Sequence, residues 1–499
     1  MDQKTADDTP RVIERSLDPD NWDEFRVLGH RVFNDMVDYL QTIRDRPVWQ
    51  PLPESAQSLF AMPLPLYGSG PSTVYDRVRD DILPYPTGNI HPRFWSWVGG
   101  TGTATQLIAD MVISTMNSAG LGFDEVASTH VELQLLAWLK EMLGYPSAAS
   151  GLLLSGGSMA NLVGLAVARN RMSVTDVRKA GVNTAGEPRL MFYASSETHS
   201  SVRKAVELLG LGNDSLHTID ARDDFTIDTT ALRDAIHSDR RRGYRPACII
   251  ANVGTVNTGA IDPLPALADI ATSERLWLHA DAAFGAFARL SPRFQPLVEG
   301  LERADSLAFD LHKWLYVQYD CGCVLVKDSE AHRNTFSVVP SYLRSLDRGL
   351  ASGPLNFSEY GVQLSRSFKA LRAWMGLKSE GVQRYAEQIE QNIRQARYLS
   401  QLVMQHPDLE LLAPTSLNIV NFRYIADNLD GDELNELNAQ ILMTLQERGI
   451  AAPSPTMLNG RFSLRVAICN HRSRREDFDL LVGSVVAIAR ELSGSVPSR

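Results

Sequence analysis

The stretch LWLHADAA (276–283) decides how this chain is read, together with SLAFDLHKW (306–314) downstream of it. Each opens as a short apolar run of strand character and ends on a carboxylate, Asp281 in the first and Asp310 in the second. An acid at the carboxyl end of a strand, followed by small residues such as Ala282 and Ala283, suits a flat group lying against it. Two other readings compete for that segment: Asp281 as a helix cap, or His279 and Asp281 as a metal pair, which has no third ligand nearby. In the second segment Lys313 follows the strand between apolar neighbours. A lysine there is costly to bury as an ammonium unless its charge is offset or it is joined to a carbonyl. The plain alternative is a surface lysine after a strand.

Outward from these two runs the same pattern repeats. Candidate strands lie at 151–156, 190–195, 215–220, 247–253, 276–281, 306–310 and 322–327, with amphipathic stretches such as 159–170, 200–210 and 229–240 between them. Apolar strands alternating with helices read as an α/β fold, a mostly parallel seven-stranded sheet with helices on both faces. Ligands of such sheets bind beyond the carboxyl ends of the strands. The chain divides into an N-terminal segment at 1–95, a large domain at 96–365 and a small α+β domain at 366–499. In the first, residues 22–44 carry Phe25, Leu28, Val32, Met36 and Leu40 at helical spacing, with Asp20 or Asn21 as cap, and a proline-rich stretch follows over 46–71. In the last, a helical pattern runs to residue 404, with strands expected at 417–424 and 461–469 and helices at 431–448 and 474–492.

Composition narrows the function. The 499 residues hold 49 Lys+Arg against 59 Asp+Glu, a net charge of −10, which argues against a general nucleic-acid binder. Four cysteines in so long a chain are no disulfide framework and read as buried thiols in a reducing compartment. The polar, acidic N-terminus is not a signal peptide. Residues 142–168 carry no charge, but Pro146, Gly151, Gly156, Gly157 and Asn161 interrupt them, so a strand–loop–helix fits better than a membrane span. The expectation is a cytoplasmic protein with no nucleic-acid or membrane partner and no bound metal.

A third motif, SGGSMAN (155–161), joins an apolar strand to an apolar helix. Its glycines let the backbone approach an anion, the helix start offers N–H groups, and Ser158 adds a hydroxyl. Alone it is no more than a tight turn. In chain order the three motifs supply an anion cradle, an acid and a lysine at strand ends of one sheet. That set matches the needs of pyridoxal 5'-phosphate: a seat for the phosphate, a carboxylate for the ring nitrogen and an amine for the aldehyde.

The order HPRFW (91–95), SGGSMANL (155–162), ETHSSVRKA (197–205), NVGTVNTGAIDPL (252–264), WLHADAAFGAF (277–287), ADSLAFDLHKWL (304–315) and DCGCVLVKD (320–328) resembles the group II pyridoxal-phosphate-dependent decarboxylases, above all their aromatic-L-amino-acid branch. The resemblance implies the fold of the type I PLP-dependent transferases. It implies that Lys313 holds the cofactor aldehyde, that Asp281 pairs with the ring nitrogen, that His199 stacks on one ring face and that Ala283 packs on the other. Thr255 would lie near the ring oxygen, and Gly157, Ser158 and His312 would line the phosphate or cofactor edge, with Asp310 nearby. From the residues alone His199 reads as a polar loop residue and Thr255 as a turn former.

The segment 337–357 is polar and reads as a linker; the resemblance makes it a mobile catalytic loop reaching a neighbouring subunit. Tyr342 in it matches the tyrosine that protonates the substrate carbon. The expected activity is decarboxylation of an L-amino acid, aromatic by resemblance, in a homodimer with shared sites. The rivals are an aldehyde-forming oxidative deaminase, an acidic-amino-acid decarboxylase, an aminotransferase and a catalytically silent interaction protein. Three departures from the family pattern stand out: Leu311 in place of proline before His312, no proline before Glu132, and Trp95 and Trp97 followed by Val98-Gly99-Gly100. Trp95 and Trp97 read either as pocket walls or as core.

Overall fold

The structure, a computed structural model, describes residues 16–182, 186–339 and 345–494. The chain divides into two compact units. The first holds the described residues up to Asp45 together with Leu52–Tyr85, and the second holds Arg46–Pro51 and everything from Pro86 onward.

In the first unit the helix Trp22–Gln41 starts where the sequence places it. The Asn21 side chain accepts the N–H groups of Asp23 and Glu24, and those two acids sit in the first turn, where negative charge favours the helix dipole. Leu28, Val32, Met36 and Leu40 are half-buried along one stripe, while Trp22, Phe25, Val27 and Phe33 remain exposed. A second helix, Pro71–Arg77, is tied to the first: Tyr75 donates to Asp35 at 2.6 Å, and the Arg31 guanidinium lies 4.9 Å from the centre of the Tyr75 ring.

The second unit contains two sheets. The larger is built from β1 (Ser150–Leu154), β2 (Leu190–Ser195), β3 (Leu216–Ile219), β4 (Arg245–Asn252), β5 (Trp277–Asp281), β6 (Ser306–Asp310) and β7 (Gly322–Val326), in the order β1-β7-β6-β5-β4-β2-β3. The pairings β3–β2, β2–β4, β4–β5 and β5–β6 are parallel, and β7 runs antiparallel to both neighbours. Every residue of β2, β5, β6 and β7 is buried. Successive side chains point to opposite faces, so both faces are covered. The helix Gly157–Met172 packs against β4 to β7. The core around the sheet includes Phe192, Phe287, Phe309 and Trp314, each about 1.5–3 kcal/mol more stable inside than in water.

The smaller sheet is antiparallel, with β8 (Leu409–Leu411), β9 (Ile419–Tyr424), β10 (Ser454–Leu458) and β11 (Arg461–Ala467) in the order β10-β11-β9-β8. Strands β8 and β10 are additions to the sequence reading. The helices Ala370–Gln405, Gly431–Glu447 and Arg475–Gly494 accompany this sheet, the first broken at Gly381, whose φ of +74° is left-handed. Trp95 belongs to this core: it is fully buried, stacks on Phe478 at 5.0 Å and donates its indole N–H to Ser473. The four cysteines, Cys248, Cys321, Cys323 and Cys469, are buried free thiols. Among the described residues no helix is long and apolar enough to cross a membrane.

Candidate active site

Three chain reversals converge on one cavity of about 490 Å³ beyond the carboxyl ends of β4, β5 and β6. Lys313, Asp281, His199, Gly157, Ser158, Thr255, Ala283, Asp310 and His312 all line it. Tyr342 lies outside the described residues.

The turn after β1 forms one wall. Gly157 leaves little space for a larger residue: a Cβ there would stand 2.9 Å from an Asp310 carboxylate oxygen and 3.4 Å from the Ala283 methyl. The helix Gly157–Met172 therefore starts inside the cavity, and its opening N–H groups have no partner within the helix. That end, with the Ser158 hydroxyl beside it, is suited to an anion.

Strand β5 delivers the acid. Asp281 is buried, which pushes its carboxyl above the ordinary range. Its surroundings oppose that push. Asn161 donates its amide Nδ2 to Asp281 Oδ2 at 2.8 Å, the Lys313 charge attracts the carboxylate, and Ala283 N–H donates to Oδ1 at 3.2 Å. A buried carboxylate held this way can keep a proton on a facing ring nitrogen.

Strand β6 delivers the lysine. Lys313 is three residues past Asp310, on one short helical turn, Leu311–Trp314. Its Nζ is 3.2 Å from Asp310 Oδ2, so the ammonium charge is offset rather than buried bare. The other Asp310 oxygen, Oδ1, is buried without a hydrogen-bond partner, so this end of the cavity holds an acceptor site for a donor. His312 accepts the Cys321 N–H at Nδ1, and burial lowers its pKa. Leu311, where relatives of the motif carry proline, is fully buried in the large core.

His199 caps the helix Ser200–Leu208, its Nδ1 accepting the Ser201 N–H at 3.2 Å. Burial, first, and then the Lys313 charge lower its pKa, so the ring is neutral near pH 7. Thr255 shares a hydrogen bond with Thr258 at 2.9 Å and accepts the Ala260 N–H. Its turn passes through Gly254, whose φ is +95° and whose missing side chain makes room for the Phe284 ring. Trp97, 62% exposed, closes the cavity with Val98.

Sequence reasoning missed Asn161, Ser201 and Asn252, all of which line the cavity. Asn161 had a usable signal: it is a polar side chain on the buried face of an otherwise apolar helix, and such groups are hydrogen-bonded. His279 and Asp281, two residues apart on β5, both bond to Asn161.

An anion seat, a flat slot bounded by small residues, a buried carboxylate and an accessible lysine fit pyridoxal phosphate, and they define a PLP-dependent enzyme of the type I fold. The sequence matches the pyridoxal-dependent decarboxylase conserved domain over residues 59–425. It is 34% identical to the aromatic-L-amino-acid decarboxylase of Bacillus atrophaeus over 95% of this chain and 97% of that one. It is 29% identical to a phenylacetaldehyde synthase of Arabidopsis thaliana over 91% and 93%. Among solved structures, Oryza sativa TDC with PLP and tryptamine superposes with a TM-score of 0.88 at 27% identity, covering 96% of this chain and all of that one. The chain belongs to the pyridoxal-dependent decarboxylases: it is an amino-acid decarboxylase that uses pyridoxal phosphate.

Proposed function

We propose that this enzyme decarboxylates an aromatic L-amino acid to its amine and CO2, with Lys313, Asp281, His199 and Tyr342 as catalytic residues. The observation that carries the reading is the convergence of Lys313, Asp281 and His199 on a single cavity, with Trp97 and Phe284 in its lining. Those rings offer an apolar surface against which an aromatic side chain can lie. This favours an aromatic over an acidic substrate, as does the likeness to the Bacillus atrophaeus and Oryza sativa proteins.

When bound, pyridoxal phosphate supplies an aldehyde for the amino group and a protonated ring that takes up the electron pair left as CO2 departs. Lys313 Nζ would hold the aldehyde carbon, and Asp281 would hold the proton on the ring nitrogen. Each pK unit by which it raises that nitrogen corresponds to about 1.4 kcal/mol. His199 and Ala283 would bound the two ring faces, Thr255 would face the ring oxygen, and Gly157, Ser158 and His312 would receive the phosphate edge. Tyr342 would deliver a proton to the substrate α-carbon, the step that separates amine from aldehyde products.

The exposed Trp22, Phe25, Val27 and Phe33 on the first helix support a homodimer, and the four reduced thiols support a cytoplasmic setting. The test is a product screen with PLP-loaded enzyme on Trp, Tyr, Phe, DOPA and Glu. Amine and CO2 from an aromatic substrate are expected. Turnover of Glu alone overturns the substrate class. Oxygen uptake with aldehyde and ammonia release selects the second reading, which the similarity to a phenylacetaldehyde synthase favours.

A further inference from the structure

His279 is buried two residues before Asp281, and the reading above gives it no task. Its hydrogen bonds have only one consistent assignment. Trp277 Nε1 can only donate, and it donates to Ser306 Oγ at 2.8 Å. Ser306 has then one proton to give, and His279 Nδ1 lies 2.8 Å from it. At the far end Asp281 as a carboxylate can only accept, so the Asn161 nitrogen faces it at 2.8 Å and the Asn161 oxygen faces His279 Nε2 at 2.9 Å. His279 Nε2 must therefore carry the proton. The direction follows link by link from the acceptor-only carboxylate, and the donor-only tryptophan at the other end is compatible with it. Burial, which lowers the His279 pKa to about 3, agrees with a neutral ring.

Asn161 has a second amide proton, and it goes to Ser201 Oγ at 3.0 Å. The Ser201 hydroxyl proton is then left for His199 Nδ1, 2.8 Å away, alongside the Ser201 backbone N–H. A nitrogen that accepts a backbone N–H carries no proton, so neutral His199 holds its proton on Nε2. The fold makes space for the node: a Cβ on Gly164 would stand 2.7 Å from His279 Cε1 and 2.8 Å from Nδ1.

We propose that Asn161, oriented by His279, governs the hydrogen bonds of both groups that flank the cofactor, holding Asp281 as a hydrogen-bonded carboxylate and aiming the Ser201 hydroxyl proton at His199 Nδ1. His279, Asn161 and Ser306 are positioning residues. The relay rests on the reading of Asp281 and His199 as the cofactor's neighbours, but its proton positions exist without the cofactor.

The experiment is nitrogen-15 NMR of full-length protein labelled at histidine, with and without added pyridoxal phosphate, paired with fluorescence titration of cofactor affinity. Wild-type His199 and His279 are expected as neutral Nε2–H tautomers in both states. His279→Leu and Asn161→Leu should shift the His199 Nδ1 resonance, because the Ser201 hydroxyl is no longer aimed at it, and raise the cofactor dissociation constant roughly 10- to 100-fold, the effect of losing a hydrogen bond to a charged group. His279→Gln, whose amide can accept from Ser306 and donate to Asn161, should restore both signals to near wild type, which a merely structural role would not require. An Nδ1–H or doubly protonated His199 in the wild type, which needs no variant to fold, overturns the relay. So does an unchanged His199 signal in His279→Leu. Absence of a cofactor absorbance band that borohydride abolishes would instead overturn the reading of the site, leaving the tautomer result to judge the relay separately.

Discussion

Two buried polar clusters in this enzyme solve the problem of an interior carboxylate in opposite ways. Glu132 and Arg366, each almost fully buried, form a direct ion pair, and Arg366 also donates to the carbonyls of Leu153 and Gly120. Among the described residues no cation is in direct contact with Asp281, which is held by neutral donors, Asn161 and the Ala283 N–H. The first arrangement satisfies charge with charge. The second surrounds a carboxyl, which burial pushes above its ordinary range, with neutral donors and, in the proposed reading, leaves it to face the cofactor's ring nitrogen. One is therefore expected to act on stability and the other on chemistry.

The comparison breaks most sharply with Asp281→Asn, which keeps the shape and an acceptor for Asn161 but removes the charge. Turnover should fall about a thousandfold, as when one preorganised group is lost from a site, with the unfolding temperature nearly unchanged. Single-turnover kinetics and calorimetry on the same preparation check both halves. Arg366→Met should do the reverse: about 3–5 kcal/mol lost in urea unfolding, because Glu132 is left buried without its cation, and cofactor binding retained in the folded fraction. A smaller loss, about 1–3 kcal/mol, is expected for Gly164→Ala, since the new methyl must displace the His279 ring. In that variant turnover should drop along with stability, because the packing defect falls on the relay.

A pH-dependent effect concerns His332, buried and neutral like His279 and joined to the Ser150 hydroxyl. Burial lowers its pKa from 6.5 to about 4. Below pH 6.5 the unfolded chain takes up a proton that the native chain refuses, so stability is lost as the pH falls towards 4. Replacing it with leucine should flatten the fall by up to about 1.4 kcal/mol per pH unit, measured as unfolding free energy against pH. Equal slopes would show that burial alone does not displace its proton.

The large sheet was legible because its strands are buried on both faces and read as uninterrupted apolar runs, which stand out against the amphipathic helices between them. β8 was missed because Leu409-Glu410-Leu411 is too short to show a period, and β10 because Pro455 argues against a strand. Pro455 is tolerated because β10 is an edge, paired on one side with β11. Lys313 and Asp281 announced themselves as charges placed among apolar residues at strand ends. His199 and Thr255 were reached through the resemblance, since an ordinary loop carries the same residues. Asn161, Ser201 and Ser306 were not legible as a set. They are small polar groups whose meaning lies in which way each hydrogen bond points, and that direction exists once three distant segments meet.

The antiparallel β7 has a consequence for how the protein is made. β1, which leads into the anion-binding turn, pairs with β7 alone, and β7 pairs in turn with β6, register joining Leu154 and Asp310 to the same residue, Gly322. A nascent chain that has passed Asp281 already holds the acid and its histidine, yet β1 still waits for a strand to come about 170 residues later. The long loop to be closed makes that pairing slow, so the proposed phosphate seat and Lys313 reach their places in one late event. Until then the growing chain has no complete site with which to capture the cofactor.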